Sequence, residues 1–76
     1  MKDLRELRHM IGFTQFRLAG RSGVNRTRLS LAESGDVGLT SQEEQKLRKI
    51  LHQELRRQAA AINQALSQEQ QVEVRV

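Results

Sequence analysis

The chain has 76 residues, 13 Lys/Arg against 9 Asp/Glu for a net charge of +4, and two aromatic residues, both Phe. That length buries one thin, aliphatic core, which excludes a multidomain enzyme and favours oligomerisation as a further source of buried surface. Cysteine is absent, so disulfides and thiolate metal sites are excluded, in keeping with a reducing compartment.

A first helix is expected over residues 1–11, with Leu4, Leu7, Met10 and Ile11 turned inward. Gly12 and Phe13 join it to a stretch in which Thr14 and Asn25, two natural N-caps, mark two further helix starts. Gly23 precedes the second start, where a sharp turn calls for a positive φ. Phe13, Leu18, Ala19, Val24, Leu29 and Ala32 are the expected buried positions, with Ala19 small where two helices cross closely. Leu29 and Ala32 share one face of the helix that begins at Arg26. Its opposite face carries Thr27, Ser30, Leu31 and Ser34, flanked by Arg26 and Arg28. Short polar side chains reach base edges, and arginines reach guanine or phosphate.

Ser34 to Thr40 reads as a loop, with Val37 or Leu39 plugging the core. A capping box, either Ser41 with Glu44 or Thr40 with Glu43, opens the last helix. From Gln42 to about Gln68 nothing breaks it, and Leu47, Leu51, Leu55, Ile62 and Leu66 form a stripe. Its first half closes the core. The whole spans roughly 40 Å, more than the domain can cover, so Leu55, Ile62 and Leu66 are expected to hold a dimer. The alternative is a kink near Gln58 that folds a fifth helix back. The tail alternates Val72, Val74 and Val76 with Glu73 and Arg75, as a short strand paired to a second subunit or as a disordered terminus. These expectations divide the chain into a DNA-binding domain over 1–55 and an extension over 56–76.

Charge is distributed unevenly. Residues 1–35 hold seven Lys/Arg against three Asp/Glu, whereas residues 36–76 balance six against six. The positive potential therefore lies on the half with the paired short helices, as polyanion binding requires.

LRELRHMIGFTQFRLA, the spacing of Gln15, Ala19, Gly23, Val24 and Leu29, and GVNRTRLSLAESG together resemble the lambda-repressor/Cro-like (XRE-type) helix-turn-helix family over Leu4 to about Leu51. The resemblance implies an all-α bundle of four to five helices that reads double-stranded DNA. It places Gln15 on a phosphate, Arg26, Thr27 and Leu31 toward bases, and Asn25 and Arg28 at the groove edge. Glu33 matches a glutamate that pairs with an arginine of the first helix, here Arg5 or Arg8. Arg17 stands where the family commonly has Glu, which adds positive charge near the phosphates at the cost of a reciprocal capping box. Leu31 either touches a thymine methyl or packs on a neighbouring element. Glu33 is then structural, and the expected DNA contacts are Gln15, Arg17, Asn25, Arg26, Thr27, Arg28, Ser30 and Leu31.

Other chemistry is not indicated. His9 and His52 are isolated, and no nucleophile–base pair, phosphate-cradling loop, metal site, cofactor site or small-molecule site is expected. No segment approaches the roughly 20 apolar residues of a membrane span, and the N-terminus lacks a signal-like apolar core, so a cytoplasmic protein is expected. Two functions fit. One is a dimeric, sequence-specific repressor that occludes a promoter at an inverted-repeat operator. The other is an antitoxin or adaptor whose long helix binds another protein.

Overall fold

The computed structural model describes residues 2–75, and the side chains of residues 4–70. All the secondary structure described is helical: α1 Lys2–Met10, α2 Gln15–Ser22, α3 Arg26–Ser34 and α4 Ser41–Arg75.

Side-chain oxygens start three of the four helices. Thr14 is extended and its hydroxyl accepts from the Arg17 backbone N–H at 3.0 Å, while the Asn25 carbonyl oxygen accepts from Arg28 N–H at 3.2 Å. At α4 the Thr40–Glu43 box forms: Glu43 N–H donates to Thr40 Oγ1 at 3.1 Å and Thr40 N–H to Glu43 Oε1 at 2.9 Å. Gly23 ends α2 at φ 78°, its N–H closing on the Ala19 carbonyl. A side chain at that φ is strained, which is why a glycine stands there. Gly35 ends α3 the same way at φ 88°.

Leu4, Ile11, Phe13, Leu18, Ala19, Val24, Leu29, Leu47 and Leu51 form the core, and Ala32 is buried as well. Leu7, Leu39, Ile50 and Leu55 pack on its edge. The loop plug is therefore Leu39 and not Val37. Met10 departs from expectation and is 69% exposed. Six residues beyond Leu4 it lies about 120° off the buried stripe, and Arg8 takes the inward place four residues after Leu4.

The other departures lie in α4, which runs unbroken for 35 residues. No kink opens at Gln58, so no fifth helix folds back. Residues 72–75, expected as strand, continue the helix. An α-helix closes its own backbone hydrogen bonds, whereas a lone strand leaves them open. With no proline in the chain, no glycine after Gly38 and an alanine-rich middle, nothing stops the propagation. Thirty-five residues reach about 52 Å, in a molecule measuring 56 × 18 × 18 Å. Its radius of gyration is 16.4 Å, against about 11 Å for a compact chain of this length. The packed body ends at Gln58, and residues 59–70 are exposed. No described helix is both long and apolar enough to cross a membrane.

Candidate nucleic-acid interface

The first residue of α2 and the outer face of α3 meet in a shallow trough lined by Gln15, Arg26, Thr27, Ser30 and Leu31. Five of the eight residues expected to touch DNA thus share one surface. Arg26, Thr27 and Ser30 are exposed, and Leu31 is 40% exposed. A second depression adjoins along Gln15 and Ser30, and adds Arg5, His9 and Ser34. These α1 residues were not among the expected contacts. No periodic signal in the sequence shows that α1 flanks α3.

A buried network underpins the trough. The Arg8 guanidinium donates to both Glu33 carboxylate oxygens, at 2.8 and 2.7 Å, and to the Phe13 carbonyl at 2.9 Å. Gln15 Nε2 donates to Glu33 Oε1 at 3.0 Å. Burial pushes the Glu33 carboxyl up, but the bonds from Arg8 and Gln15 and the charges of Arg8 and Arg5 outweigh it and leave it below its ordinary value. Of the two arginines open for this pairing, the structure selects Arg8. The network ties α1, the start of α2 and the end of α3 together, so the Gln15 amide is held at the rim of the trough.

The remaining expected contacts are arranged differently. Arg17 is exposed with its guanidinium 4.5 Å from the Phe13 ring centroid, a cation–π contact. Asn25 is exposed, but its side-chain oxygen is committed to the cap. Arg28 turns from the trough toward α4. It donates to both Glu43 oxygens and to the Gly38 carbonyl at 3.2 Å. The bond from Arg28, followed by the Thr40 backbone bond, holds the Glu43 carboxyl down at about 2.

Sequence reasoning also missed Glu54, a carboxylate 5% exposed on the inner face of α4. It accepts from Arg57 and from Gln58 Nε2, and Arg21 stands 3.9 Å away. The Arg57 bond, opposed by desolvation, holds it at about 2. Gln58 also donates to the Ile11 carbonyl at 2.8 Å. The available signal was an acid on the Leu47–Leu51 stripe with an arginine three residues later. Of the three residues expected to hold a dimer, Leu55 packs on its own core, whereas Ile62 and Leu66 are 60% and 54% exposed.

Comparison with family models, with curated proteins and with solved structures finds no match to this chain.

Proposed function

We propose that this chain is a sequence-specific DNA-binding regulator, a homodimer that represses by occupying a promoter. The observation that carries this reading is the trough at the junction of α2 and α3. Its wall is the outer face of a helix whose inner face, Leu29 and Ala32, is buried. α2, the turn at Gly23–Asn25 and α3 then act as a helix-turn-helix, as the resemblance to the lambda-repressor/Cro-like family implies. α3 enters the major groove with its first turn leading. Arg26 and Thr27, at that leading end, meet base edges, and Leu31 meets a thymine methyl. Gln15 meets a phosphate at the start of α2, where unpaired backbone N–H groups favour an anion. The excess positive charge of residues 1–35 draws the polyanion to this face.

The test is selection of binding sites from a random duplex pool, followed by affinities for selected and random DNA across a salt series. A regulator prefers its selected site by at least about a thousandfold, and Arg26→Ala or Thr27→Ala each costs about 1–3 kcal/mol there while relaxing preference at particular base pairs. Equal affinity for both pools overturns the reading. The exposed Ile62 and Leu66 then favour an adaptor or antitoxin that binds a protein through α4.

A further inference from the structure

Glu33 takes Arg8 as its partner, and Arg5 is the arginine left over. Arg5 is exposed, and its side chain makes no hydrogen bond or ion pair among the described residues. It acts on Glu33 through charge alone. Arg5 and His9 stand four residues apart on α1, hence on one face. Both line the depression that continues the trough past Gln15 and Ser30. Glu33, the acid among its described lining residues, has both carboxylate oxygens engaged by Arg8 and Gln15. No free anion therefore competes there for Arg5. The Arg8 guanidinium lies 3.4 Å from His9 Nε2 and can only donate, so a neutral His9 ring that accepts from it keeps its own N–H on Nδ1.

On the DNA-binding reading, on which this rests, we propose that Arg5 and His9 hold a phosphate of the DNA backbone, which makes α1 a third helix of the interface. A helix with its side chains is about 10–12 Å across, and the major groove is about 12 Å wide. α3 then fills the groove, and no second helix can follow it in. A helix alongside α3 meets a sugar–phosphate strand instead. α1 lies beside the later part of α3, because its depression is lined by Ser30, Glu33 and Ser34, whereas the trough reaches Arg26 and Thr27. With the first turn of α3 leading, that later part stands at the mouth of the groove, where the strand passes. An exposed guanidinium that no carboxylate pairs holds phosphate there by charge and hydrogen bonds together, with the His9 N–H beside it. Gln15 borders both depressions, so its phosphate and that of Arg5 belong to the same wall of the groove.

The test measures affinity for the selected site and for random duplex across a salt series, at about pH 8, above the ordinary histidine range. Arg5→Ala should weaken both about tenfold or more at low salt, lower the slope of log affinity against log salt by about one, and leave base preference intact. Its effect should shrink about 3.5-fold between about 50 and 200 mM salt. Arg5→Lys should restore the slope, because a phosphate also takes a point charge. His9→Ala should weaken both pools about two- to tenfold with the slope unchanged. Arg56→Ala removes an equal charge from the exposed side of α4 opposite Leu47, and should leave the slope as it is. In ethylation interference on the selected site, one phosphate that blocks the wild type should cease to matter for Arg5→Ala. A slope unmoved by Arg5→Ala, an equal drop for Arg56→Ala, undiminished binding by His9→Ala, or a full wild-type set of interfering phosphates in Arg5→Ala would each overturn the proposal. Each of these can occur while the wild type still prefers its selected site, so the contact of α1 can fail with the DNA-binding reading intact. Equal wild-type affinity for both pools overturns that reading, and this proposal with it.

Discussion

Glu33 and Arg8 are buried together, with side-chain exposures of 3% and 8%. Either charge alone would be left in a poorly solvated place, so removing one partner costs far more than the pair contributes in water. Glu33→Ala is expected to destabilise the fold by about 3–5 kcal/mol, seen as a lower urea midpoint, and to weaken DNA binding through lost positioning of Gln15. The arginines of α3 are expected to separate. On the proposed reading Arg26, which lines the trough, meets base edges, so Arg26→Ala should relax base preference, whereas loss of a phosphate contact reduces the slope of log affinity against log salt by about one. Arg28 is committed to Glu43 and Gly38, so Arg28→Ala should lower thermal stability and leave that slope unchanged. A slope lowered by about one in Arg28→Ala would show that Arg28 leaves Glu43 to meet phosphate. Sequence pattern alone placed the two at the flanks of one exposed helix face. It could not show that Glu43 lies within reach of only one.

At the scale of elements, two glycines of the α2 region predict opposite effects. Gly23 holds φ 78° at the end of α2 with nothing within 4 Å of an added Cβ. Backbone strain alone then sets the cost, about 1–2 kcal/mol for Gly23→Ala. Gly20 lies inside the helix, also with open space around it, and Gly20→Ala should stabilise by about 0.5–1 kcal/mol. Chemical denaturation of the two variants checks both signs. The caps at Thr14 and Asn25 and the turn glycine were legible in the sequence because they depend on residues within three positions. The choice of the Thr40 box over Ser41 depends on which residue first turns helical, and both candidates satisfy the same spacing. The strand expected at 72–76 failed over the described residues 72–75 for a related reason. Alternating valines favour a strand only where another strand supplies hydrogen bonds, and continuing α4 needs none.

For the whole molecule, two carboxylates tie α4 to the other helices. Glu43 joins it to α3 through Arg28, and Glu54 joins it to α2 through Arg21. Both are held down at about 2. A carboxyl depressed in the folded state stabilises the fold above its unfolded pKa, and that contribution is lost as pH falls through the folded value. Stability should therefore decline from about pH 5 toward about pH 2, and Glu54→Gln should flatten the decline. A profile unchanged by that substitution would remove Glu54 from the acid response. The helical class, the buried faces of α2 and α3, and the clustering of positive charge on residues 1–35 were all present in the linear chain, since they rest on periodicity, caps and composition. Three features depended on packing in three dimensions. Arg8 rather than Arg5 reaches Glu33, Leu55 belongs to its own core, and the body stops at Gln58 while α4 continues. Periodicity tells which residues share a face, but the extent of what lies against that face is set by where distant segments end.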